Sequence, residues 1–275
     1  MRLEPGASLA AAAKRAPGER IILTAGAYAG GVISGVRKLH LQAEGIVILT
    51  GGAELKIENC GEVVLEDFEV HKSRTHGVRV IGCESLRAVG LRLQSSTSNG
   101  LLTANTPHVE VLDCESRDSV DGHGFYLSQS GDHLLIRDCT AHGNARAGIQ
   151  VNAVEGRPKK RDVSRDGISQ DVQLLRNVLT GNQTRYGGAA LNLAGCRGVI
   201  IQGNRIEAHR GRHGIALWDD EAGAEFACRD VAIEGNSVSF APGFGSANVS
   251  VGKTCQRVSV GRNAWAVGAV EVSRG

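Results

Sequence analysis

Residues 106–130, TPHVEVLDCESRDSVDGHGFYLSQS, decide the fold, because most of the chain repeats their layout. Aligned on the first residue, eight segments begin at Cys60, Cys83, Thr106, Gly131, Ser169, Cys196, Cys228 and Cys255, at spacings of 23, 23, 25, 38, 27, 32 and 27 residues. Three residues after each start stand Val63, Leu86, Val109, Leu134, Val172, Val199, Val231 and Val258; two further on stand Leu65, Ala88, Val111, Ile136, Leu174, Ile201, Ile233 and Val260. Both columns are aliphatic throughout. A later element reads glycine, apolar, any, apolar from Gly77, Gly100, Gly124, Gly148, Gly188 and Gly214, and its inward end is polar once, at Thr103.

A period in the low twenties with short alternating segments marks a stacked solenoid, in which each coil buries its apolar side only against its neighbours. The runs have period two, are rich in Val, Ile and Leu, and are broken by Gly too often to be helices. The expectation is therefore an all-β fold: coils of three short strands, about 4.8 Å apart, winding parallel sheets around one long core.

Eight residues after each start comes a turn column, Phe68, Leu91, Cys114, Cys139, Asn177, Asn204, Asn236 and Asn263. Asn tolerates the left-handed conformation, and its amide can bond to the equivalent amide one coil above. This ladder, with the opening SLAAAAKRAPGERIILTAGAYAG, resembles the right-handed parallel β-helix superfamily that contains the pectate lyases, alginate lyases and C5-epimerases. The resemblance spans nearly the whole chain. It implies a right-handed single-stranded parallel β-helix with a carbohydrate-active or carbohydrate-binding groove, while fold alone leaves the activity open.

An uninterrupted repeat over 275 residues predicts one elongated domain. Residues 7–17, with Ser8 as N-cap, are expected to form a helix covering the open first coil. Residues 154–170 are a basic insertion carrying Arg157, Lys159, Lys160, Arg161 and Arg165, either a functional loop or a solvated one. The C-terminus has no obvious cap, so a loop or a second copy of the chain is expected to cover it, which would make a homo-oligomer. A net charge of +2 gives no global pull toward nucleic acid. No run of about 20 apolar residues predicts a membrane span, and no leader is apparent, so the protein is expected to be cytoplasmic or to have had a leader replaced at Met1. The compartment stays open. Five of seven cysteines share the repeat-start column, which reads as a ladder of small buried side chains.

Strand alternation writes two outward columns on one sheet face. The first is Arg79, Leu102, Tyr126, Gln150, Ala190 and Ala216; the second is Ile81, Ala104, Ser128, Asn152, Asn192 and Trp218. Before the glycines stand His76, Asn99, His123, Ala147, Gly187 and His213, with Arg74, Arg146, Arg185 and Arg212 close by. A row of guanidiniums beside polar side chains suits the carboxylates of an acidic polysaccharide, which Arg grips bidentately; the alternative is an ordinary soluble sheet face. β-Elimination of a uronate chain requires a cation at the carboxylate and a base at the adjacent carbon. Tyr126, His123 and Arg146 are the candidate catalytic set. Arg79, Ser128, Gln150, Asn152, Arg185, Asn192, His213 and Trp218 are the candidate substrate-binding residues. A phenol is a poor base unless cations stand beside it, and Arg146 or Arg79 would be those cations.

Two departures from the superfamily's enzymes matter. Where alginate epimerases carry Asp-Pro-His-Glu, this chain has Tyr126-Leu127-Ser128-Gln129, so that mechanism does not transfer. The calcium-binding aspartates of pectate lyases are not evident either, and Asp219 and Asp220 are the only tight acidic candidates for Ca²⁺, the one cofactor considered. Hydrolysis would need two carboxylates facing the groove, whereas Asp121 and Asp219 lie several coils apart. A sugar-modifying enzyme other than a lyase, and a non-catalytic glycan-binding or assembly rod of the surface or tail-fibre type, remain the alternatives.

Overall fold

The computed structural model describes residues 1–153, 168–218, 227–265 and, as backbone, 270–272. Every strand joins one continuous parallel ladder, with each coil paired to the one three strands on. The first sheet runs through Glu62–Glu66, Ser85–Val89, Val109–Leu112, Leu134–Arg137, Ser169–Leu175, Cys196–Gln202, Arg229–Glu234 and Gln256–Val260. The second holds short strands such as Glu115–Arg117 and Thr140–His142, and the third holds Val78–Ile81, Leu101–Ala104, Phe125–Ser128, Ile149–Asn152, Ala189–Ala194, His213–Leu217 and Ala247–Val251. Two long strands, Arg20–Ser34 and Lys38–Glu58, each contribute to all three sheets and bend between them at register shifts. Residues 19–59 thus form two complete coils, although their sequence lacks the later period. Ten coils at the strand spacing give a rod about 45 Å long. Consecutive parallel strands joined in this way take the right-handed crossover.

Burial follows the alternation. Val63, Leu65, Val109, Val111, Leu134 and Ile136 are essentially inaccessible, and the outward residues between them are partly exposed. Thr103, the polar inward exception, bonds Ser130 Oγ at 2.6 Å, so its hydroxyl is satisfied inside the core. The cysteines form no disulfide among the described residues, and all are buried except for the partly exposed Cys255. The neighbouring Cys60 thiol, with burial adding to it, pushes the Cys83 thiol well up, consistent with a structural ladder.

The predicted helix is shorter than residues 7–17. It spans Leu9–Arg15, is capped by Ser8 accepting from Ala11 N at 3.2 Å, and buries Leu9, Ala12 and Ala13. It shares the closing of the first coil with a two-residue strand, Arg2–Leu3, which pairs with Ile22 and Leu23. The Tyr28 hydroxyl pins that strand by donating to Leu3 O at 2.6 Å.

The asparagine column forms the expected ladder. Asn177 Nδ2 donates to Asn204 Oδ1 at 2.9 Å, Asn204 to Asn236 at 2.9 Å and Asn236 to Asn263 at 3.0 Å. A second ladder lies at the next turn: Ser73, Ser96, Ser119, Asn144, Asn182 and His209, all buried, with Ser119 N bonded to Asn144 Oδ1 and Asn144 Nδ2 to Asn182 Oδ1.

His209 ends that column as an imidazole buried against Phe240, its Nε2 3.4 Å from Gly188 O. Burial lowers its pKa to about 4, against the opposing hydrogen bonds with the Gly188 and His213 backbones. The folded value lies below the unfolded one of about 6.5, so above that pH the histidine costs nothing. As the pH falls toward 4 only the unfolded chain takes the proton, and stability drops by about 1.4 kcal/mol per unit. His209→Asn extends the amide ladder and removes the titration. Urea unfolding at pH 7 and pH 4.5 should show the variant losing about 2–3 kcal/mol less than the parent; equal losses would contradict the assignment.

Candidate functional site

On the third sheet an open depression of about 350 Å³ is lined by His123, Tyr126, Arg146, Gln150, Asn152 and Asn192, and also by Gln183, Tyr186, Gly188 and Trp218. Seven of these are among the residues expected from sequence. Strand pairing explains the convergence: Tyr126 lies opposite Gln150 and Gln150 opposite Asn192, so three outward side chains stand on successive coils. Asn152 follows on the same strand as Gln150. Trp218 closes one side, its indole N–H donating to Asn192 Oδ1 at 3.1 Å.

The register corrects one expectation. Asn192 belongs to the column of Tyr126 and Gln150, not that of Ser128 and Asn152, because Leu191 rather than Ala189 pairs with Ile149. Ala216 keeps its outward register opposite Asn192 and is buried all the same, whereas Ala190, expected to face outward, falls out of that column and is fully buried. The cause is a longer connection: four residues separate Asn144 from Gly148, but eight separate the equivalent Asn182 from Ala190, which takes the glycine's place.

The cationic rim is organised around Asp121. Tyr186 donates its hydroxyl to Asp121 Oδ1 at 2.5 Å, Arg185 Nη1 lies 3.8 Å from the same oxygen, and Arg146 Nε donates to Asp121 O at 3.0 Å. The Tyr186 bond, with Arg146 and Arg185 nearby, holds the Asp121 carboxyl below its usual range. The Arg146 guanidinium carbon lies over the Tyr186 ring, 4.1 Å from its centre. That contact, with the Nε bond to Asp121 O, holds the guanidinium and leaves its two terminal amino groups available for a planar anion.

His123 stands beside Tyr126, ring centres 5.1 Å apart. Its backbone N–H donates to Asn99 Oδ1 at 2.8 Å, and Asn99 in turn donates to His76 Nδ1. Burial, reinforced by Arg146, lowers the pKa of His123 to about 3. It is a neutral imidazole at any ordinary pH and a weak base, which removes the reason for assigning it the proton-abstracting role.

The remaining candidates fall outside this cluster. Arg79 is two coils away from Tyr126 and is ion-paired with Glu54, so it does not act on the phenol. Ser128 pairs with Asn152 one coil away but does not line the depression. Arg185 is spent on Asp121 and Val120 O. His213 makes an edge contact with Trp218, centres 6.1 Å apart. Of the expected arginine row, Arg146 alone lines the depression, among neutral amides, while Arg185 is held by Asp121 and Arg74 and Arg212 lie outside the lining. Asp219, Asp220 and residues 154–167 of the basic insertion lie outside the described residues. Among the described residues no group of three metal-ligating side chains comes together.

Gln183 and Tyr186 were not among the candidate site residues. Both lie in the connection after Asn182, and the marker was the second ladder itself, whose members from Ser73 to His209 recur at the spacings of the repeat starts.

The pattern of the family described as "right handed beta helix region" matches residues 29–161. No curated protein matches the chain in sequence. Among solved structures, the A-module of the mannuronan C-5 epimerase AlgE6 from Azotobacter vinelandii superposes with a TM-score of 0.52 at 12% identity, covering 94% of each chain. A variant of the periplasmic alginate epimerase AlgG gives 0.55 at 11% identity, over 90% of this chain and 77% of the other. The pectate lyase Pel9A gives 0.50 at 15% identity, over 96% and 76%. At these identities the likeness is one of fold. Repeat, register and these likenesses together show the right-handed parallel β-helix fold.

Proposed function

We propose that the protein acts on an acidic, uronate-containing polysaccharide laid along the third sheet, and that it cleaves the chain by β-elimination at Tyr126. One observation carries the reading: a single depression gathers a half-exposed phenol, a stacked arginine with free amino groups and neutral amides from successive coils. The strand spacing of about 4.8 Å is close to the length of one pyranose residue, so a chain parallel to the rod axis meets each coil with one sugar. Structural neighbours that are an alginate epimerase and a pectate lyase by name support a glycan of this class.

In the reaction Arg146 binds the carboxylate and stabilises the charge that develops on it. The Tyr126 oxygen, as phenolate, takes the proton α to the carboxylate; the C–H electron pair forms the new double bond; the bond to the glycosidic oxygen breaks; and the phenol returns its proton to that oxygen. His123 stays neutral and packs beside the phenol. Its pKa of about 3 means that turnover should show no histidine inflection between about pH 5 and 8.

The test is incubation with alginate, polygalacturonate and sulfated glycosaminoglycans while following ultraviolet absorbance of the unsaturated sugar. A rise on one polymer supports the lyase and names its substrate. Binding without any rise would favour the second reading, a non-catalytic glycan-binding rod, to which the weak basicity of His123 and the engagement of Arg185 by Asp121 already lend weight.

A further inference from the structure

Three buried side-chain atoms lining the depression have no hydrogen-bond partner: His123 Nδ1, Asn152 Oδ1 and Gln183 Oε1. Elsewhere the buried turn amides are used at both ends. Asn144, Asn177, Asn182, Asn204 and Asn236 each donate through Nδ2, and Asn182, Asn204 and Asn236 accept from the coil before. Asn152 and Gln183 are only 9% and 4% exposed, so water cannot freely replace the missing partners, and each leaves the desolvation of an acceptor uncompensated.

The orientation of Gln183 is fixed by its surroundings. Its Nε2 donates to Ala189 O at 2.8 Å and its backbone N–H to Arg146 O at 3.0 Å, so Oε1 is the end left over. Its backbone is left-handed, with φ +65°. The amide also needs the glycine at 188, where a Cβ would stand 2.8 Å from Nε2. The neighbouring guanidinium of Arg146 disfavours a cationic donor, which leaves hydroxyl groups as the complement of these acceptors.

We infer that the depression selects its ligand through hydroxyl donors: the sugar seated against Asn152 and Gln183 carries free hydroxyls, and O-acylation of that sugar abolishes recognition. The inference rests on the glycan reading above and deepens it from an acidic chain to an acidic chain with unmodified hydroxyls. Arg146 and the acceptors then read opposite features of one residue, its carboxylate and its alcohols.

The experiment is calorimetric titration with alginate and galacturonate oligosaccharides, each before and after chemical O-acetylation, against the full-length protein, Asn152→Leu, Asn152→Asp and Gln183→Met. Acetylation should weaken binding to the parent protein about tenfold or more, the order of one lost hydrogen bond with its acceptor left buried. Asn152→Leu should lose about tenfold for the free oligosaccharide and lose clearly less on acetylation than the parent does, since the acceptor is already gone. Gln183→Met should behave alike, and Asn152→Asp, which keeps an acceptor, should bind more tightly than Asn152→Leu. Equal binding of acetylated and free forms by the parent, or an unchanged acetylation effect in both apolar variants, overturns the inference. Discrimination without any ultraviolet product upholds it while removing the lyase assignment; no binding of any oligosaccharide removes both.

Discussion

Asn204→Ala is expected to lower the unfolding free energy by about 4 kcal/mol. Asn204 sits at 1% exposure, and its side chain serves three coils at once. Nδ2 donates to Leu174 O at 2.8 Å and to Asn236 Oδ1 at 2.9 Å, while Oδ1 accepts from both the backbone and the side-chain nitrogen of Asn177 at 2.9 Å. Truncation strands the Asn177 N–H and the Leu174 carbonyl where no water reaches, at about 1–3 kcal/mol each, and leaves a small cavity besides. Asn204→Leu, with the residue type found in the same column at Leu91, refills the volume but not the bonds, so it should recover only a minor part. Urea unfolding followed by circular dichroism gives the number, and a loss below about 1 kcal/mol would mean the ladder is ornamental to stability.

The same ladder explains what the sequence made legible. Residues facing the core or stacking in a turn meet the same residue type one coil away, so their identity recurs at the coil period. Val63 to Val258 and Asn177 to Asn263 could be aligned from spacing alone, and the pairing of Val172 with Val199 and Val231 follows that alignment. The second ladder was equally open to such reading, yet its residues change from serine to asparagine to histidine, and the eye follows identity more readily than register. Beyond it the period fails physically. The connection into the third sheet crosses the solvent side, where added residues bulge outward at little cost, and its length changes between Asn144–Gly148 and Asn182–Ala190. That is why Asn192 was assigned to the wrong outward column while Tyr126 and Gln150, joined by short connections, were assigned correctly.

Charge was less legible than shape. Sequence shows where arginines recur but not which carboxylate meets each one. Glu54 is 25 residues from Arg79, and Asp121 is 64 from Arg185; each pair is brought together only by the winding of the coils. The same winding buries His123 near Arg146 and changes a candidate base into a neutral spectator.

Tyr126→Phe is the variant that separates chemistry from binding most sharply. The substitution removes one oxygen from a half-buried ring whose hydroxyl has no bond to the described residues, so packing against His123 is preserved. If Tyr126 moves the proton, formation of unsaturated product should fall by about 10²–10⁴-fold with affinity for the same oligosaccharide held within about threefold. Arg146→Ala should differ in kind, losing affinity and turnover together, because its guanidinium meets the carboxylate in the ground state as well as in the transition state. His123→Ala should reduce turnover less than Tyr126→Phe, since a group with a pKa of about 3 contributes position rather than proton transfer. A binding rod predicts another pattern: each of the three variants, and Trp218→Ala with them, trims affinity by a similar modest factor, and no variant stands apart. Measuring product formation and affinity on one panel therefore decides between the two readings, because only a reacting centre concentrates its effect on one coil.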